Sequence, residues 1–213
     1  MTLLIASNNA HKVREFREIF SGFEVVAPSD LGLRFEHEEV GTTFVENALG
    51  KAKTLFEILQ TASHGKNQAS RFAEIAVLAD DSGLVVPALD GAPGVYSARY
   101  GAELPGTALD DAGRTALLVD RMRGINDRSA YYVCCMALYL GVERFVTVQE
   151  TWEGSIAQNI STAGGGFGYD PIFVIAGTNT SVAEIPSADK SRMSHRAKAC
   201  NRLLRQLRSA TLQ

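Results

Sequence analysis

The chain has little of what marks specialised proteins. Of its 213 residues only three are cysteines, Cys134, Cys135 and Cys200. Two of them are adjacent, so they supply neither a disulfide framework nor the paired spacing of a zinc site. No apolar run approaches the ~18 residues that a membrane helix needs. Residues Met1 to Ala6 lack a basic stretch and a long apolar core, so no secretory leader is expected. Charge of neither sign dominates. A formal net charge of −3 gives no polyelectrolyte signal, so neither nucleic acid nor a membrane surface is expected as a partner. No repeat, low-complexity tract or linker breaks the chain, and no G-x-x-x-x-G-K-S/T phosphate loop occurs. What remains is an ordinary soluble composition, expected to form a single domain over residues 1–213 in a reducing, cytoplasmic setting.

What is present centres on Ala79-Asp80-Asp81-Ser82-Gly83. The apolar run from Ile75 to Ala79 predicts a short buried strand with two carboxylates at its C-terminal end, where open α/β sheets place ligands. Neighbouring strand residues point to opposite faces, so both aspartates enter one site only if the chain has already turned. One is expected to hold a metal or a water, and the other to fix the turn. Leu84 to Val86 predicts a second short strand, and Gly91 to Gly94 a fixed turn.

Upstream, Leu3 to Ala6 predicts a first strand, followed by Ser7-Asn8-Asn9-Ala10-His11-Lys12 and a helix with Val13, Phe16 and Phe20 on one face. Free N–H groups at that helix start, with Lys12, would suit an anion. Phe23 to Ala27 predicts a strand, and Glu36-His37-Glu38-Glu39 offers carboxylates to a hard cation. Thr43-x-x-Glu46 is a capping box opening a helix with Phe44, Ala48, Ala52, Leu55 and Leu59 on one face. Residues 63–74 form a polar stretch to which no role is given.

Downstream, Leu109 to Met122 predicts another helix, and residues 129–140 and 144–152 a β-hairpin about Gly141-Val142-Glu143. Gly164 to Pro171 lacks the last glycine of a dinucleotide fingerprint. Its glycines permit close backbone approach, and Phe167 and Tyr169 offer ring faces to a base. Ser194 is an N-cap candidate for a helix buried through Ala197, Cys200, Leu203, Leu204 and Leu207. His195 and Arg196 then fall in its first turn, while Arg202, Arg205 and Arg208 face solvent.

Five segments occur in order: Ser7–Lys12, Glu38–Gly41 running to Ala48, Ala79–Gly83 with Gly91–Tyr100, Gly165–Phe173, and Lys190–Arg196. Together they resemble the inosine/xanthosine triphosphate pyrophosphatases, which hydrolyse non-standard purine nucleoside triphosphates, and the likeness runs from about Leu3 to Leu207. It implies an elongated mixed α/β sheet with flanking helices, two lobes around a nucleotide-binding cleft, a homodimer, and Mg²⁺-dependent release of pyrophosphate. By position, Ser7, Asn8, Asn9, Ala10, His11 and Lys12 would hold the triphosphate. Asp81 would be the catalytic carboxylate and a metal ligand, with Glu38, or Glu39 one residue along, as a further ligand. Ser82 would contact the substrate. Phe167, Gly168, Tyr169 and Asp170 would line the base pocket, with Lys190, His195 and Arg196 completing base and phosphate recognition. The chain departs from many members in having Ser7-Asn8 where Thr-Gly is usual. A related enzyme for modified pyrimidine nucleotides would be expected to lack Ser194-His195-Arg196, and a non-catalytic nucleotide-binding regulator could dispense with Asp81.

Overall fold

Apolar alternation and helical spacing are realised as six strands and five α-helices among the described residues of a computed structural model, which are 2–63, 75–102 and 108–211. In chain order these are β1 (Thr2–Ile5), α1 (Ala10–Ile19), β2 (Glu24–Val26), α2 (Phe44–Ser63) and β3 (Ile75–Val85). Then come α3 (Asp111–Arg121), β4 (Ser129–Gly141), β5 (Arg144–Ile156), β6 (Phe173–Ile175), α4 (Ser187–Met193) and α5 (His195–Thr211). Past Ser63, the polar stretch 63–74 lies outside the described residues. No described helix is long and apolar enough to cross a membrane.

The strands form one mixed sheet in the order β2-β1-β3-β4-β5-β6. β1 runs parallel to β2 and to β3, with Thr2 opposite Glu24 on one side and Ile75 on the other. β5 and β6 are antiparallel. β4 and β5 are joined through Val142 and Glu143 alone, and so short a link joins only antiparallel strands.

Residue contacts divide the chain into two compact units. The first comprises residues 1–81, 134–150 and 196–213; the second comprises 82–133 and 151–195.

The first unit is built on strand alternation. Leu3, Ile5, Ala76 and Leu78 face one way, onto Val13 and Phe16 of α1 and Cys200 and Leu203 of α5. Leu4, Val77 and Ala79 face the other way, onto Ala48, Ala52 and Leu55 of α2. Adjacent Cys134 and Cys135 split between the two faces in the same manner, and all three thiols are buried and free. The second unit packs Leu84 and Val86 with Leu118 and Met122 and with the rings of Tyr132, Trp152 and Phe173.

One local expectation is corrected. Ala79 to Gly83 is no turn: β3 runs unbroken through Val85. Asp, Ser and Gly are ordinary turn residues where water must satisfy them. Here protein groups on each face of the strand satisfy the two carboxylates, so the extended backbone continues.

Candidate functional site

Because Asp80 and Asp81 are neighbours in β3, each carboxylate belongs to a different face of the first unit. Asp80 points toward α1 and α5. Its Oδ1 lies 3.2 Å from Lys12 Nζ, and its Oδ2 accepts from Arg196 at 3.1 Å. Arg196 also donates to Glu15 and is only 2% exposed. Burial pushes the Asp80 carboxyl up, but Lys12, Arg196 and Lys51 outweigh it and hold it well below the usual carboxylate range.

Asp81 points toward α2. Asn47 Nδ2 donates to its Oδ2 at 3.0 Å, and Lys51 Nζ lies 3.4 Å from its Oδ1. The same lysine contacts Glu39 Oε1 at 2.5 Å. Burial raises the Asp81 carboxyl and Glu39 adds to this, with Lys51 and Asn47 opposing. One ammonium between two carboxylates cannot fully compensate both. For Lys51 the balance is reversed: burial disfavours its charge, but Asp81, Asp80 and Glu39 together hold its pKa above the ordinary value.

The acidic segment is laid against α2 by two matching periods. Alternate loop residues meet successive turns of the helix: His37 with Thr54 at 2.9 Å, Glu39 with Lys51, and Gly41 N–H with Asn47 Oδ1 at 2.9 Å. Extended chain repeats every two residues and helix about every 3.6, so such a ladder puts 37, 39 and 41 inward and their neighbours outward. Glu38 and Val40 are exposed accordingly. Glu46 closes the ladder by accepting from the N–H groups of Thr42 and Thr43, while its own N–H donates to Thr43 Oγ1, the capping box that the sequence announces.

Across Ser7 to Lys12, most side chains are engaged within the first unit. Asn9 Oδ1 caps α1 by accepting from His11 and Lys12 N–H, and Asn8 Nδ2 donates to Phe35 C=O at 2.8 Å. Ser7 Oγ accepts from Asn9 N–H, and His11 Nδ1 meets Arg14.

A second group forms within the second unit. Asp170 is buried and accepts from Lys190 Nζ at 2.7 Å, from Phe167 N–H at 2.8 Å and from Tyr132 Oη–H at 3.3 Å. Lys190 Nζ also stands 4.2 Å from the Phe167 ring centroid. Gly165 and Gly166 have a steric cause here: a Cβ at Gly165 would meet Ala183 O at 2.4 Å. A Cβ at Gly166 would meet Asp170 Oδ2 at 2.2 Å, and the residue has φ +75°. His195 stacks on Tyr132 with centroids 4.7 Å apart and planes 11° apart, and on Trp152 at 6.4 Å. Tyr169 Oη–H donates to Ser97 C=O, and burial holds its phenol well above the usual range. Ser82 is half-buried in the same unit.

Over residues 3–206 the chain matches the profile described as the Ham1 family. The chain belongs to the Ham1 family. It is 42% identical over 199 residues to a dITP/XTP pyrophosphatase of Treponema denticola, covering 93% of this chain and 94% of that one. It is 43% identical to one of Bordetella pertussis, covering 97% and 91%. Among solved structures it is similar to the Ham1 protein of Staphylococcus aureus, with TM-score 0.79, 33% identity and coverage of 99% and 100%.

For this Ham1 chain the structure gathers Asp81 and Glu39 about Lys51, and Asp170, Lys190 and Phe167 about one another, with His195 against Tyr132. Glu38 and Gly168 are not in these clusters; Gly168 instead donates its N–H to Asp111 and accepts from Thr115. Sequence reading overlooked Asn47, Lys51, Tyr132 and Trp152. For the first two a signal existed. Asn47 and Lys51 are four residues apart and immediately precede Ala48 and Ala52, small residues at buried positions of α2. Polar residues beside a buried small-residue stripe are drawn in with it.

Proposed function

We propose that this chain hydrolyses non-standard purine nucleoside triphosphates, of the inosine and xanthosine type, to monophosphate and pyrophosphate. The carrying observation is the buried Asp81 carboxylate, held above its usual range beside a charged lysine and a second carboxylate. The names of the relatives, dITP/XTP pyrophosphatases, supply the substrate class.

The reaction is in-line attack by water on a polyanion, so positioning and charge neutralisation dominate. Asp81 positions the attacking water and accepts its proton. Within the first unit Lys12 and Lys51 supply positive charge for the phosphates; within the second the Asp170–Lys190 cluster and His195 are the candidate groups for base recognition.

Among the described residues no group of three or more His, Cys, Asp or Glu side chains is poised for a metal. Magnesium, however, is commonly bound by one or two carboxylates together with substrate phosphates, and Asp81 with Glu39 fits that donor set. Glu39 is assigned in place of Glu38 because it shares Lys51 with Asp81. When bound, the ion supplies charge neutralisation at the phosphate oxygens. A homodimer and a cytoplasmic location belong to the same proposal; buried free thiols favour a reducing compartment, and light scattering tests the dimer.

The experiment is a nucleotide panel with Mg²⁺ that scores pyrophosphate and single phosphate separately, run on wild type and Asp81→Asn. Pyrophosphate alone is expected, with turnover falling by at least ~10²-fold in the variant. Direct release of single phosphate, or wild-type rates in Asp81→Asn, overturns the assignment.

A further inference from the structure

Asn47 is 1% exposed, and its side-chain amide makes two hydrogen bonds that require opposite chemistry. Asp81 Oδ2 can only accept when ionised, and it takes Asn47 Nδ2–H at 3.0 Å. Gly41 N–H can only donate, and it gives to Asn47 Oδ1 at 2.9 Å. A carboxylate at position 47 would serve Gly41 and repel Asp81, while an apolar side chain would serve neither. The amide therefore joins the acidic loop to the Asp81 carboxylate through one rigid group.

The loop side shows the same fit independently. A Cβ added to Gly41 would meet Asn47 Oδ1 at 2.6 Å and Glu46 Cβ at 2.8 Å. The backbone at position 41 is thus pressed onto the amide to a degree that only glycine permits. Two residues before Gly41 lies Glu39, held by Lys51, which also reaches Asp81. Asp81 is consequently oriented at both oxygens, by Asn47 on one and by Lys51 on the other.

We propose that Asn47 is a positioning residue, which fixes the Asp81 carboxylate relative to the Glu39-bearing loop and acts on turnover only through Asp81. This rests on the proposed role of Asp81. A misplacement of about 1 Å at a reacting group can cost ~10²-fold, so a loss of at least ~10-fold in kcat is expected when Asn47 is removed.

The test is a double-mutant cycle on the full chain with inosine triphosphate and Mg²⁺, comparing Asn47→Ala, Asp81→Asn and the double variant. Residues that act as a unit are non-additive. Asn47→Ala should lower kcat at least ~10-fold while changing KM less than ~3-fold, and it should have no further effect in the Asp81→Asn background. Gly41→Ala, which displaces the amide from the loop side, should reproduce the kcat loss and stands in if Asn47→Ala does not fold. Additive losses, or wild-type kcat in Asn47→Ala beside an inactive Asp81→Asn, remove Asn47 from the mechanism. Wild-type turnover in Asp81→Asn removes the functional reading and this inference together.

Discussion

Asp80 and Asp81, consecutive in β3, have carboxyls displaced in opposite directions. Asp80 lies below the usual range because, against burial, Lys12 and Arg196 favour its charge. Asp81 lies above it because burial and Glu39 outweigh Lys51. Strand alternation produces the contrast by presenting one carboxylate to α1 and α5 and the other to α2. Neighbouring acids forced apart in this way are typical of sites that need one fixed charge and one group able to exchange a proton.

Asp80 is therefore a stabilising charge. Asp80→Asn leaves Arg196 buried with Glu15 but without its second carboxylate, and removing one member of a buried pair costs about 3–5 kcal/mol. Urea unfolding near neutral pH should show a loss at the lower end of that range. The pH dependence has a definite sign. A carboxyl depressed in the folded state stabilises fully above its unfolded value, near ~3.9, and that contribution fades as pH falls toward the lower folded pKa. The gap between wild type and variant should narrow below pH ~4. A gap of constant size down to the lowest pH at which both remain folded would show that the ion pairs are not its source.

Asp81 should behave in the opposite sense. A carboxyl raised in the folded state costs stability above its unfolded value, and the cost disappears as pH falls below it. Asp81→Asn removes that buried charge while keeping the side chain's shape. In a chelator, the variant should melt above wild type at pH 7, and the two should converge as pH approaches ~4. A group that destabilises the fold yet is required for turnover is the usual trade between stability and activity. A lower melting point for Asp81→Asn at pH 7 would mean that Lys51 and Asn47 more than compensate its burial.

Much of this was legible in the residues, and the rest was hidden for a physical reason. The Thr43–Glu46 capping box, the apolar faces of α1, α2 and α5, and the hairpin at Val142-Glu143 all depend on near neighbours. The motif order gave the family. Ala79 to Gly83, by contrast, looks like a turn because its polar side chains normally need water. Their partners Asn47 and Arg196 are 34 and 116 residues away, beyond any local pattern. The resemblance implies a part for Arg196 in base and phosphate recognition. Its contact with Glu15, across 181 residues, could not be foreseen from its place in the chain.

The surroundings of Arg196 and His195 separate two effects that the Ser194-His195-Arg196 motif leaves merged. Arg196 is committed to Asp80 and Glu15, so Arg196→Ala should reveal itself first in stability, with a loss of about 3 kcal/mol or more in urea. His195 instead stacks on Tyr132, whose hydroxyl bonds Asp170, and Asp170 holds Lys190 and the Phe167 N–H. Hypoxanthine presents a 6-oxo acceptor where adenine presents a 6-amino donor. A donor aimed at that position is satisfied by the first base and opposed by the second, and a buried donor left unpaired costs about 1–3 kcal/mol. Each 1.4 kcal/mol is tenfold, so His195→Ala should narrow the inosine-to-adenosine triphosphate ratio of kcat/KM by roughly 10-fold. The ratio is measured where the variant is folded, because deleting a buried ring stacked on Tyr132 and Trp152 also lowers the melting point. In Arg196→Ala, measured at a temperature where the variant is folded, the ratio should move less than in His195→Ala. If instead His195→Ala leaves the ratio unchanged, base reading passes to the Phe167–Asp170 segment; if Arg196→Ala alone collapses it, Arg196 leaves its carboxylate partners to meet the base.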